Sequence, residues 1–222
     1  MISDLLTSLP PGALMMLAAI PIVLVPHHAR QVVMFLAIAG SAFSLTAGAG
    51  QHLNIEMLGF EMSFYRADHL SLPFAIVFHI AAALNVFYGW HERKATDHVA
   101  GLSYAGAAIA ALHAGDLVTL FMWWEATAVT SVFLILASGT QRARRAAMRY
   151  LIVQVASGVL LLAGAAMLYS ESGSLAFAGM TLGATATWLI FIAFGIKAAF
   201  PLLNGWLQDA YPEATVVGTV VL

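Results

Sequence analysis

The sequence predicts an all-α membrane protein, a polytopic helical bundle of about seven transmembrane helices plus a partial eighth, with a broken seventh helix and a small β-hairpin between helices 2 and 3. Three observations carry this. Hydrophobic residues make up 61% of the 222 and charged residues only 9%, where a soluble domain carries roughly a quarter. Mean hydropathy is +0.88. Apolar runs approaching the ~20 residues that a helix needs to cross a bilayer recur along the whole chain, with most cations in alternate loops between them.

In order, the runs lie at Leu9–Val25, Val32–Gly48, Leu70–Trp90, Val99–Ala114, Leu117–Ala137, Tyr150–Tyr169 and Leu182–Pro201. Met1–Leu9 lacks the basic n-region of a cleaved signal peptide, so the first run is expected to stay as a span. Between the second and third runs, Gln51–Tyr65 partly alternates polar and apolar residues around Gly59, the pattern of two short strands turning on a glycine. After Asp209–Glu213 a new apolar run, Ala214–Leu222, covers only ~14 Å as a helix, which points to a fragment of a larger subunit or to a partner that completes the layer.

Seven of the nine cations, Arg30, Arg93, Lys94, Arg142, Arg144, Arg145 and Arg149, fall on one side of this layout. The opposite loops hold Glu56, Glu61, Asp68, Asp116 and Glu171, with Arg66 their sole cation. The positive-inside rule then puts the N-terminus outside and the basic loops in the cytoplasm. Residues 1–222 read as one membrane domain, with spans 1–3 in 1–98 and the remainder in 99–222, because no long polar linker interrupts them.

Composition also excludes. A net charge of −2 offers no basic surface for nucleic acid. The absence of cysteine removes disulfides, thiolate metal sites and iron–sulfur ligation. His27 and His28 are adjacent, a poor geometry for one metal ion, so no metal and no cofactor are expected.

Two charges lie where charges are costly. Glu125, in FMWWEATAVTSVFLI, is nine residues beyond Asp116, ~14 Å into a ~30 Å hydrocarbon core. Lys197, in WLIFIAFGIKAAFPLL, lies at comparable depth in a span running in the same direction. Intramembrane ionisable groups mark relays and ion paths, whereas a buried ion pair is a poor source of stability. Pro201 cannot donate a hydrogen bond to the carbonyl of Lys197, so the helix should break beside the lysine, as at transporter binding sites. A lysine beside a carboxylate holds its proton more tightly than one left in an apolar pocket, so a Glu–Lys pair can switch a proton's affinity. His79, nine residues into the third run, is a candidate relay, with a hydrogen bond to a neighbouring helix as the bland alternative. His113, Asp116, Asp209 and Glu213 read as interfacial and solvated, and the four arginines at 142–149 as a topogenic signal.

The stretch LFMWWEATAVTSVFLI resembles the aromatic–Trp–Glu motif in the fifth span of antiporter-like membrane subunits shared by respiratory complex I and Mrp-type cation/proton antiporters. GIKAAFPLLNGWLQDAYPEA resembles the family's broken seventh helix, and FYRADHLSLPF and RAAMRYLIVQ match its third and sixth spans in order. The chain departs from that pattern at Leu203-Asn204, where a histidine often follows Pro-Leu, and at Gln208, where the family has proline. The resemblance covers the N-terminal half of such a subunit. It implies that Glu125 and Lys197 form the proton-transfer pair of a half-channel, with other membrane subunits as partners.

The expected role is thus a proton-translocating subunit of a multisubunit Na+/H+ antiporter of the Mrp type, resembling its D-like subunit, in a bacterial cell membrane. A proton-pumping, non-redox membrane subunit of a complex I-like NADH:quinone oxidoreductase is the alternative. A purely structural subunit is the third reading.

Overall fold

The computed structural model describes residues 10–47, 49–57, 59–177 and 180–222. The expectations placed on Met1–Leu9 and on Gly48 lie outside the described residues. Helices α1 (Ala13–Ile22) and α2 (His27–Ser44) precede strands β1 (His52–Met57) and β2 (Phe60–Arg66). Then come α3 (Ser71–Tyr88), α4 (Ala95–Leu112), α5 (Leu117–Leu136), α6 (Gln141–Ser172) and α7 (Thr185–Lys197). Two short helices follow, α8 (Gly205–Ala210) and α9 (Val216–Val221).

Among the described residues, three helical stretches are long and apolar enough to cross a membrane: Ser71–His91, Leu117–Leu136 and Gln141–Ser172. Helices α1 and α7 are apolar but shorter. Large apolar side chains such as Leu24, Leu36, Phe87, Ile152 and Val159 face outward, while many of the buried positions are small: Ala19, Ala37, Ala107, Ala110, Ala128 and Ala165. This inversion of the soluble pattern suits helices that pack through close backbone approach with lipid around them. One apolar cluster joins α1–α4 through Met15, Ile22, Met34, Val86, Leu102 and Ile109, and a second joins α5, α6 and α7 through Leu117, Trp124, Leu161 and Ile190.

Helix α6 has 32 residues, or ~48 Å, against a hydrocarbon core of ~30 Å. Hydropathy located only its apolar part. The helix begins nine residues before Tyr150 because Thr140 caps it, accepting from the Ala143 N–H at 3.0 Å, and because Arg and Ala favour helix. The four arginines therefore ride a helical shaft. Arg149 donates twice to Asp209, at 2.6 and 2.7 Å, and Arg142 pairs with Glu213 at 2.7 Å. Asp209 and Glu213, expected as merely solvated, instead tie the segment around α8 to α6.

The expected hairpin is present. Strands β1 and β2 pair antiparallel from His52–Arg66 to Met57–Phe60, with a bulge after Leu53, and Gly59 turns at a φ of 80°, which glycine adopts freely. It is stitched to the bundle rather than free. The Ser63 N–H donates to Asp116 Oδ2 at 2.7 Å, the Gly115 N–H to the Ser63 carbonyl at 2.9 Å, and the Arg66 N–H to the His113 carbonyl at 2.8 Å. The reading of His113 and Asp116 as solvated is thereby corrected: the hairpin covers both, and they are 0% and 3% exposed.

Asp116 also caps α5. Its Oδ1 accepts from the N–H groups of Val118 and Thr119 at 2.9 and 2.8 Å, and its Oδ2 from the Thr119 hydroxyl at 2.7 Å. One carboxylate thus fixes where α5 starts and, nine residues later, how deep Glu125 lies. Asp68 does similar work for α3. Its Oδ1 accepts from the Ser71 and Leu70 N–H groups at 2.7 and 3.0 Å, and these bonds, that of Ser71 foremost, hold its carboxyl below its ordinary value. The cap is formed at neutral pH and is lost only as the pH falls through that depressed value.

Asp116→Ala removes bonds from three backbone N–H groups and a hydroxyl at once. It is expected to cost about 2–3 kcal/mol, from a lost cap and lost charge-assisted bonds, and to speed proteolysis of the hairpin in purified, assembled protein. An unchanged cleavage rate and melting temperature would contradict this role.

Candidate functional site

Lys197 is the last residue of α7. The chain then turns through Ala198–Asn204 before α8, with Pro201 in the middle of the break and two non-glycine residues, Ala199 (φ 53°) and Leu202 (φ 74°), in left-handed backbone. Such conformations cost about 1–2 kcal/mol each and persist where the surroundings over-determine them. Some of the freed helix-end groups are recaptured nearby. The Phe200 N–H reaches the Gly195 carbonyl at 2.9 Å, and the Trp206 indole donates to the Ile196 carbonyl at 2.9 Å. A proline that cannot continue the ladder and a tryptophan that caps its open end hold the lysine at a helix terminus.

The part-buried ammonium of Lys197 reaches across to α5. It donates to the Thr127 hydroxyl at 3.0 Å and towards the Trp124 carbonyl at 3.4 Å, and lies 5.1 Å from the centre of the Trp124 ring. Trp124 is fixed in turn: its indole donates to Ser157 on α6 at 3.2 Å, and its ring meets Phe194 of α7 edge-on at 5.0 Å. Thr127 donates its own proton to the Trp124 carbonyl at 2.7 Å, leaving its oxygen free to accept from the lysine.

Glu125, between those two contacts in sequence, turns towards α6, where a Cβ on Gly158 would collide with its carboxyl oxygen Oε1. That oxygen is buried and has no hydrogen-bond partner among the described residues. Glu125 and Lys197 therefore converge on one turn of α5 without forming an ion pair, since the ammonium is held by neutral oxygens instead. A static Glu–Lys clamp does not describe this arrangement.

His79 lies elsewhere, in α3. Its Nδ1 meets the Ala75 carbonyl at 2.7 Å and its Nε2 the Ser41 hydroxyl at 2.9 Å, and Ser41 accepts from the Gly12 N–H at 2.8 Å. Both ring nitrogens are engaged, and neither bond leads to Glu125 or Lys197. Sequence reasoning singled out Glu125, Lys197 and Pro201 but missed Thr127, Trp124 and Gly158. The signal for Thr127 was present: a hydroxyl two residues after an intramembrane glutamate, on a helix facing an intramembrane lysine.

Gly158→Ala should expose the packing of Glu125. In a helix the change alone favours stability by about 1 kcal/mol, but with Glu125 present the added methyl should cost about 1–3 kcal/mol. Thermal melts of purified protein with Gly158→Ala, Glu125→Ala and both should therefore show a destabilised first variant and a double variant at least as stable as Glu125→Ala. Strict additivity would contradict the contact.

Residues 114–222 match the family profile described as NADH:quinone oxidoreductase/Mrp antiporter, transmembrane. A protein of Synechococcus elongatus named NAD(P)H-quinone oxidoreductase chain 4 is 28% identical over 93% of this chain and 44% of its own length. A namesake from Trichodesmium erythraeum is 30% identical over 70% of this chain and 30% of its own. The chain thus spans less than half the length of these relatives. In fold, it superposes with a TM-score of 0.76 on a chain of an archaeal membrane-bound sulfane sulfur reductase, at 23% identity over 96% of this chain and 37% of that one. It superposes with a TM-score of 0.75 on a chain of Thermus thermophilus respiratory complex I, at 20% identity over 95% and 51% respectively. With a chain of the Mrp complex from Dietzia sp. the TM-score is 0.74, at 21% identity over 100% and 26%. The resemblance read from the two charged motifs holds: residues 114–222 match the profile shared by NADH:quinone oxidoreductases and Mrp antiporters, and the relatives and solved folds to which the chain is similar are of the same kind.

Proposed function

We propose that this chain conducts protons within a complex I-like NAD(P)H:quinone oxidoreductase, as part of a longer antiporter-like subunit or beside a chain that supplies the rest of its length. The observation that carries the reading is the lysine at the helix break. Lys197 sits at a helix end within the apolar bundle and is held by two neutral oxygens, while Oε1 of Glu125, on the same turn of α5, has no hydrogen-bond partner among the described residues. A cation bound this way can exchange its proton with water or with Glu125 without first breaking an ion pair. The initial preference for an Mrp-type Na+/H+ antiporter gives way because the curated relatives above carry the quinone oxidoreductase name. No redox group is assigned to this chain, and electron transfer would belong to partner subunits.

This reading includes about seven spans, counting α1, α2, α4 and α7 with the three long helices, and the beginning of an eighth at α9. It places the arginine-bearing end of α6 in the cytoplasm and the N-terminus outside, by the cation bias of the loops.

The test uses inverted vesicles containing the assembled complex, with proton uptake followed by a pH-sensitive dye. NADH should drive uptake in wild type, and Lys197→Ala and Glu125→Ala should each lower its rate at least tenfold with complex content unchanged. Uptake undiminished in both variants would leave a structural subunit. Vesicles that respond to a Na+ pulse but not to NADH would restore the Mrp reading.

A further inference from the structure

Gln154 is the least explained polar side chain in the bundle. It is 0% exposed, and neither its amide oxygen nor its amide nitrogen has a hydrogen-bond partner among the described residues. A bare amide offers two donors and an acceptor, and leaving such groups unsatisfied in an apolar layer costs several kcal/mol. Its backbone carbonyl is occupied, by the Ser157 hydroxyl at 2.7 Å, so the need is confined to the side chain.

Its position gives this a direction. Helices α5 and α6 are antiparallel and bonded at two levels, Trp124 to Ser157 at 3.2 Å and Ser131 to Tyr150 at 2.8 Å. In the register these two bonds set, Gln154 lies level with Thr127, the residue that receives the Lys197 ammonium. One helical turn further along the same face of α6, Gly158 accommodates Glu125 and its unpartnered oxygen. In the other direction Tyr150 lies one turn away, beside Arg149 and its ion pair with Asp209, so Gln154 is only ~8 Å along the helix from the arginine-bearing end. The Ser131 hydroxyl donates to the Ala128 carbonyl at 2.8 Å, which makes the Tyr150 hydroxyl the donor to Ser131 and leaves the phenol oxygen open to accept. The α5/α6 seam thus carries, in order from the arginine end, Tyr150 with Ser131, then Gln154 level with Thr127 and the Lys197 ammonium, and Glu125 beyond.

We propose that Gln154 is a positioning residue for proton delivery: its amide orders water between α5 and α6, and this water connects the Tyr150–Ser131 pair at the arginine-bearing end to Lys197 and Glu125. Gln154 does not itself titrate. It supplies hydrogen-bonding sites between the Tyr150–Ser131 pair and the ammonium that Thr127 receives, and the proton passes between waters and the two charged residues. The proposal rests on the reading of Lys197 and Glu125 as the proton-carrying pair.

The test compares Gln154→Met, which keeps length and volume but removes the amide, with Gln154→Glu, which restores oxygen at the same reach. Both are measured in the assembled complex beside wild type and Lys197→Ala, using dye-reported proton uptake under whichever drive the wild type answers, NADH or a Na+ pulse. The expected result is at least a fivefold slower uptake in Gln154→Met at unchanged complex content, with Gln154→Glu within twofold of wild type. Wild-type uptake in Gln154→Met, beside an inactive Lys197→Ala, would overturn the proposal and leave the charged pair standing. Equal impairment in both Gln154 variants would also overturn it, because packing would then be the whole effect. Full uptake in Lys197→Ala would remove the reading of the pair and the proposal with it. If Gln154→Met lowers complex content, Tyr150→Phe takes its place: slower uptake supports the path, and a wild-type rate overturns it.

Discussion

An ammonium group inside an apolar bundle must have hydrogen-bond acceptors, and the structure around Lys197 is organised by that requirement. An intact helix would have its backbone carbonyls occupied and its side chains facing lipid or small residues. Ending α7 at Lys197 frees the chain to turn, and the neighbouring helix presents Thr127 and the Trp124 carbonyl at the level where the ammonium arrives. Trp124 is then pinned from two sides, by Ser157 and by Phe194, because it shapes the pocket as well as supplying an acceptor. The left-handed backbone at Ala199 and Leu202 is the local cost of this arrangement, offset by the Trp206 cap on Ile196 and by the ion pair that anchors the following segment to Arg149.

The same requirement reaches the far end of α5. Depth along a helix is set by where it starts, and α5 starts at a carboxylate that also holds the hairpin. The hairpin is thereby a spacer: it buries Asp116 and His113 and fixes the level of Glu125 and Thr127 against Lys197. The arginine-bearing extension of α6 serves at the opposite end, where its ion pairs with Asp209 and Glu213 hold the chain after the break.

Much of this was legible in the sequence, for identifiable reasons. Apolar runs report spans because the bilayer demands them, and they located the cores of α2 to α7. Glu125 and Lys197 stood out because charge is rare at that depth, and Pro201 forecast the break because proline cannot extend a hydrogen-bond ladder. What escaped depended on contacts between distant segments. Nothing local says that a hairpin fifty residues upstream covers Asp116, or that Arg149 meets Asp209. Hydropathy could not see the first nine residues of α6, which are helical by propensity but polar. Thr127 and Gln154 look like ordinary polar residues in apolar helices until the register of α5 on α6 sets them level with the lysine. His79 was singled out by depth alone, and its partners in α2 and α3 lie apart from the charged pair.

We propose that Glu125 and Lys197, which converge on one turn of α5 without an ion pair, exchange a proton during turnover. Infrared difference spectra of the assembled complex, resting against turning over, address this directly, because a carboxyl that gains or loses a proton changes its C=O stretching band. The account predicts a turnover-dependent carboxyl band that is absent in Glu125→Gln and altered in Lys197→Ala. A spectrum identical in wild type and Glu125→Gln would contradict it.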